Sequence, residues 1–228
     1  MQTTKEEYKQ RLKEVDLYFS TFHLLDKASC TLEGFDLNGE KTSLVIDTEL
    51  IKIFKANGFI LLYNLIEATI RNSITAVLNS ISNEKVTYKK VTDELRKLWL
   101  KQEFKSYRDT NNVHSKVQSI MSEVLEDSLF TLNQECITIS GNIDAQEIRN
   151  ISKQIGCEEP KNGESLLQIK NKRNELAHGE KTFTEIGKNY TIQDLIKYKE
   201  ETASFIENVM QKIEDYINQK HFLRNAKI

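Results

Sequence analysis

The sequence predicts an all-α protein, and three observations support this. Apolar residues recur at three- and four-residue steps over several long stretches. A single proline, Pro160, interrupts 228 residues. Only eight glycines are present, too few for the many tight turns of an all-β fold. With 39% hydrophobic and 29% charged residues the composition is that of an ordinary globular chain, and its length suits one domain spanning residues 1–228.

The elements follow in order. Residues 4–28 place Tyr8, Leu12, Val15, Phe19, Phe22 and Leu25 on one face, with Lys and Glu on the other, which predicts an amphipathic first helix. Residues 33–46 carry two glycines and an Asn-Gly pair, the mark of a turn or small hairpin. Thr48 opens a long helix to about Ser80 that is apolar around most of its circumference, the expected spine of a bundle. Its most apolar run, Phe59 to Ile66, falls far short of the roughly 20 residues of a membrane span and reads as core. Asn64, Glu67 and Arg71 draw a polar line along it.

A third helix is predicted over 86–107. The surrounding 85–108 stretch has eight basic residues against three acidic ones, interleaved with Tyr88, Trp99, Phe104 and Tyr107. Such a run is either a solvated helix face or an RNA track working through phosphate contacts and base stacking; Trp99 itself reads as core. Residues 109–143 are mixed, with a helical stretch near 113–131 and a short strand at Cys136 to Ser140. Asp144 to Glu147 has the form of a capping box and opens a helix over 144–156. Pro160 to Gly163 punctuates the chain, and a helix over 165–178 ends at Gly179, where a left-handed cap is wanted. A loop holding Gly187 leads to Thr191 to Asp194, a second capping-box form, and a last helix over 191–218.

A net charge of −2 argues against nucleic-acid binding by bulk electrostatics and leaves local basic patches as the route. Cys30, Cys136 and Cys157 are odd in number and far apart, so neither a zinc knuckle nor a disulfide framework is expected. His23, His114 and His221 have no partners at ligand spacing. The expectation is a cytoplasmic protein with no secretion leader, membrane association, metal or cofactor.

The segment suited to carry chemistry is Lys172-Arg-Asn-Glu-Leu-Ala-His-Gly179. Metal-free RNA cleavage needs a group to take the 2′-hydroxyl proton, a group to protonate the leaving oxygen, and fixed positive charge on the transition state. Histidine, with an ordinary pKa of about 6.5, suits the first two tasks, and arginine's planar fork suits the third. On a helix Arg173 and His178 lie about 140° apart and flank one broad face with Lys170 and Asn174. The bland alternative is a basic helix whose terminal histidine faces the helix dipole.

That segment resembles the signature of the HEPN superfamily. The similarity extends to Leu62 through Asn72, Gly141 through Arg149 and Phe183 through Gly187, an ordered set that resembles MAE-type HEPN-like nucleases of prokaryotes. The resemblance implies an α-helical bundle that dimerises so that Arg and His of both protomers line one cleft. It also implies metal-independent endoribonuclease activity leaving 2′,3′-cyclic phosphate ends, in toxin–antitoxin or anti-phage systems. Carried over, Arg173 binds the scissile phosphate, His178 is general base or acid, Asn174 orients either group, and Glu67 holds His178 or Arg173 in place; for Glu67 the bland reading is pairing with Arg71 one turn on. Lys170, Lys172, Arg71, Lys97 and Lys101 are the expected RNA contacts. The competing readings are a non-catalytic RNA- or nucleotide-binding module, a partner subunit neutralising a toxin, and a purely structural bundle.

Overall fold

A computed structural model of the chain describes residues 1–25, 30–105, 113–137, 139 and 141–224. Among them lie eight α-helices and one two-stranded sheet. In chain order they are α1 (Gln2–Leu25), β1 (Thr31–Phe35), β2 (Lys41–Val45), α2 (Thr48–Asn83), α3 (Asp93–Lys105), α4 (Val113–Leu125), α5 (Ala145–Ile155), α6 (Ser165–Ala177), α7 (Phe183–Gly187) and α8 (Ile192–Asn218). The all-α class and the small hairpin are as the sequence predicts. The chain divides into two compact units. One holds Glu6–Ala68 and Gly163–Ser204; the other holds Met1–Lys5, Thr69–Asn162 and Phe205–Ile228.

The first unit is organised by the amino-terminal half of α2, where Ala56, Phe59, Leu62, Tyr63 and Ile66 are wholly buried. Rings of α1 and α2 interlock: Phe22 lies 6.0 Å from Phe54, and the Phe19 ring approaches the place a Cβ on Gly58 would occupy to 3.4 Å. Tyr18 donates to the Phe54 carbonyl, and burial pushes its phenol pKa well up. Phe59 packs edge-on against Tyr190 at 4.8 Å, and Gln168 of α6 donates to the Tyr190 hydroxyl at 2.6 Å. The hairpin pairs Thr31 with Val45 and Phe35 with Lys41 around Asn38-Gly39, and both strands are exposed on every residue. By composition α2 is long and apolar enough to cross a membrane, the one such helix among the described residues; half of its most apolar 18-residue window is buried here.

The second unit packs the end of α2, α3, α5 and the end of α8 through Ile74, Val77, Leu95, Leu98, Ile148, Ile155, Ile206 and Ile213. Tyr216 donates to the Ile155 carbonyl, joining α8 to α5. The helix expected from residue 86 begins only at Asp93. Residues 86–92 are instead occupied in pairing: Thr87 bridges Leu129, Tyr88–Lys90 form one 3-10 turn, and Val91 bridges Leu223. Trp99 is core, 5.2 Å edge-on from Tyr88. The helix expected over 113–131 stops at Leu125, because Asp127 takes a positive φ and Phe130 then donates to the Val86 carbonyl. Where a strand was expected from Cys136, Gln134–Cys136 form a 3-10 turn; Thr138 and Ser140 lie outside the described residues, as do 26–28 of the expected first helix. In α5 the Asp144 carboxylate accepts from the Glu147 N–H at 3.0 Å. The Arg149 guanidinium reaches the Pro160 carbonyl at 3.1 Å and fastens the punctuating loop.

Candidate functional site

Helix α6 carries the motif, and its local sequence accounts for how each motif residue is held. Ile169 and Leu176 face inward, so Lys170, Lys172, Arg173 and Asn174 fall on its half-buried flanks while His178 is exposed. Residue 178 caps the helix with φ −89°, ψ −1°, its N–H bonding to the Asn174 carbonyl at 2.9 Å. The Gly179 N–H donates to Leu176 at 3.2 Å and the Glu180 N–H to Glu175 at 2.9 Å, the paired bonds of a Schellman motif. Gly179 has φ 69°, the left-handed conformation that sequence reasoning assigned to it.

Two contacts aim Arg173. Its guanidinium lies over the face of Tyr63, 4.4 Å from the ring centroid, and Nη1 donates to the Asn174 Oδ1 at 3.0 Å. Stacking engages the guanidinium's flat face, whereas phosphate oxygens are bound through its N–H edge. Tyr63 is wholly buried in α2, so the platform is rigid. Glu67 sits half-buried one turn beyond Tyr63 on the same side of α2. Sequence reasoning missed Tyr63; α2 also carries Phe54 and Phe59, and nothing in the sequence singles out the ring that lies under Arg173.

Around this pair the charges are mostly committed. Lys172 reaches the Glu175 carboxylate at 2.7 Å and Lys181 reaches it at 3.1 Å. The hydrogen bond from Lys172, then the one from Lys181, hold the Glu175 carboxyl below its ordinary pKa. The structure thus places Lys172 as an internal counter-ion. Arg71 and the two lysines Lys97 and Lys101 belong to the other compact unit. Arg71 donates to the Ile139 carbonyl at 3.0 Å; Lys97 and Lys101 line a cleft beside α5. Within the basic 85–105 stretch, Arg96 is occupied by the Tyr88 and Lys89 carbonyls and Lys89 by Asp127 at 3.0 Å. Tyr107 and Arg108 lie outside the described residues.

After the motif, the loop expected before Thr191 contains α7. Thr182 and Glu185 close a full capping box, and Gly187 ends the helix against α2. A Cβ on Gly187 would stand 1.9 Å from the Lys52 carbonyl oxygen, so only glycine permits that approach. Thr191 and Asp194 cap each other reciprocally at 3.1 and 2.8 Å, as predicted, and open α8. Among the described residues no three His, Cys, Asp or Glu side chains gather as a metal site would require.

An exposed histidine five residues beyond a half-buried, stacked arginine, on a helix packed against the long α2, is the arrangement of an α-helical HEPN domain. A family model described as MAE_28990-like HEPN matches residues 1–222, and the chain belongs to that family. No curated protein and no solved structure matches it.

Proposed function

We propose that the protein is a metal-independent endoribonuclease acting through Arg173 and His178. The observation that carries this reading is the pre-set arginine: its orientation is fixed by Tyr63 and Asn174 before any substrate arrives, while His178, five residues on at the end of α6, is open to solvent. Pre-organised positive charge at the point where phosphorane charge develops is the largest single contribution available to such a site. In the proposed reaction a base removes the ribose 2′ proton and the 2′ oxygen attacks the adjacent phosphorus. The bond to the 5′ oxygen breaks, and an acid protonates that oxygen. The products are a 2′,3′-cyclic phosphate and a 5′ hydroxyl. Arg173 neutralises the phosphate and His178 serves as one of the two proton-transfer groups, with Asn174 positioning Arg173 and Lys170 on the flank that meets the RNA backbone.

One α6 motif supplies one histidine, and the reaction needs both an acid and a base. We therefore assign the second group to a second copy of the chain, in a homodimer with a composite site, and the biological setting to a toxin or anti-phage effector with a dedicated partner. The test is incubation of the purified protein with mixed RNA in EDTA, beside His178→Ala and Arg173→Ala, with new ends examined for cyclic phosphate. Cleavage by the parent and by neither variant supports the assignment. Cleavage that persists in both variants refutes it. RNA bound but uncut moves the reading to a non-catalytic binding module.

A further inference from the structure

We propose that the cleft between α3 and α5 is a binding site for a nucleoside phosphate. It is an open cleft of about 540 Å³, within the range of about 300–1,000 Å³ typical of small-molecule sites. Two helical stripes face each other across it. From α3 come Lys97, Leu98 and Lys101, and from α5 come Asn150, Lys153 and Gln154, each set at three- and four-residue steps.

Several lysines of the same unit are tied to carboxylates. Lys116 pairs with Glu103 at 2.6 Å, Lys89 with Asp127 at 3.0 Å and Lys220 with Glu84 at 2.6 Å. Lys97, Lys101 and Lys153 form no ion pair among the described residues, although Glu94 and Glu147 also line the cleft. One of the two carboxylates, that of Glu147, is engaged locally. Glu147 accepts from the Asn150 amide at 3.4 Å, and the Glu94 side chain covers Gly156 at the end of α5, 3.5 Å from where a Cβ would be. Three cations and two carboxylates thus line the cleft, an excess of one positive charge, around a base formed by Leu98.

Each part matches one part of a nucleotide. Ammonium groups serve as point charges for phosphate, the apolar base of the cleft takes the face of a base or sugar, and the Gln154 amide can read a base edge, while the Asn150 amide is held by Gln146 at 3.1 Å and by Glu147. A bare phosphate would leave the apolar base and the Gln154 amide unused. The same chemistry is presented by a free nucleotide and by one residue of an RNA strand. The site shares no residue with the α6 motif, so it does not depend on whether that motif cleaves RNA.

The test is isothermal titration of the full chain with AMP, ADP and ATP, with a 2′-O-methyl RNA hexamer that cannot undergo 2′-hydroxyl attack, and with inorganic phosphate. The same titrations are made on Lys101→Gln, Lys153→Gln and the charge control Lys197→Gln. Saturable binding that weakens by about tenfold or more in each cleft variant, and stays within about twofold in Lys197→Gln, is the expected result. Binding of the mononucleotides identifies the free ligand as the source, and binding of the hexamer alone identifies RNA. The proposal is overturned if no nucleotide probe saturates below about 1 mM, if phosphate binds as well as the nucleotides, or if the cleft variants match the parent. His178→Ala, expected to retain this binding, separates failure here from failure of the proposed cleavage.

Discussion

Replacing Gly187 with alanine tests whether α7 is seated on α2 as described. The added methyl would lie 1.9 Å from the Lys52 oxygen, 2.6 Å from its carbonyl carbon and 2.8 Å from its Cα. These atoms are helix backbone and cannot rotate away as a side chain would. Reaching 3.0 Å, the shortest separation Cβ atoms tolerate, requires an opening of about 1.1 Å between α7 and α2. That movement would unseat Ile186, which is 1% exposed, and strain the turn between α6 and α7. Overpacking of this kind costs about 1–3 kcal/mol, and a backbone neighbour places the change at the upper end. For a chain of this length about 3 kcal/mol corresponds to a Tm lowered by about 6–12 °C. Far-UV circular dichroism melts of Gly187→Ala beside Gly34→Ala measure it; Gly34 has open space around it and should move Tm little. A Gly187→Ala melt within about 2 °C of the parent would refute the close approach.

Gly179→Ala forces a side chain into the left-handed cap and should cost about 1 kcal/mol by thermal melt, with loss of RNA cleavage exceeding that of stability because His178 shares the cap. Thr182→Ala and Thr191→Ala each remove an N-cap and should each lower stability by about 1 kcal/mol in denaturant titration. Backbone hydrogen bonds from Thr182 and Thr191 hold the Glu185 and Asp194 carboxyls below their ordinary range, so the stabilisation is present above about pH 4 and is lost as pH falls through the lower folded values. Tm measured from pH 6 down to 2 should fall more steeply for the parent than for Glu185→Gln with Asp194→Asn. Tyr63→Phe keeps the ring under Arg173 and should retain more RNA cleavage than Tyr63→Leu, which removes it; equal kcat in the two would show that the stack does not position the arginine.

Helix existence was legible because it rests on periodicity and local caps. Asp144 with Glu147, Thr191 with Asp194, and Gly179 are signals contained within a few residues, and each is met at the predicted place. The departures arise where distant chain segments decide the backbone. Residues 86–92 were read into the helix that follows, yet their backbone hydrogen bonds run to Phe130, Phe222 and Arg224, with bridges from Thr87 to Leu129 and from Val91 to Leu223, and no window around them contains these partners. The same pairing ends α4 early. Thr182 to Glu185 was readable by the rule that found the other caps, and Gly187 drew attention away as a loop residue, although here glycine serves contact with α2 inside a helix.

The candidate site divides along the same line. The residue types in the α6 motif announce their chemistry, because an arginine and a histidine suited to phosphate transfer stand within two turns of helix. What makes Arg173 more than a surface cation is Tyr63, more than a hundred residues earlier in the chain, whose buried ring was indistinguishable in sequence from any other core aromatic. The reverse holds for Lys172, which reads as a phosphate contact in sequence and is committed in the fold to Glu175. Charge near a motif is therefore a poor guide to which cations meet a ligand; the partners each cation already has are a better one. By that criterion Lys97, Lys101 and Lys153, which face one cleft from two helices and form no ion pair among the described residues, are stronger candidates for a second anion site than Arg96 and Lys89, which are already engaged.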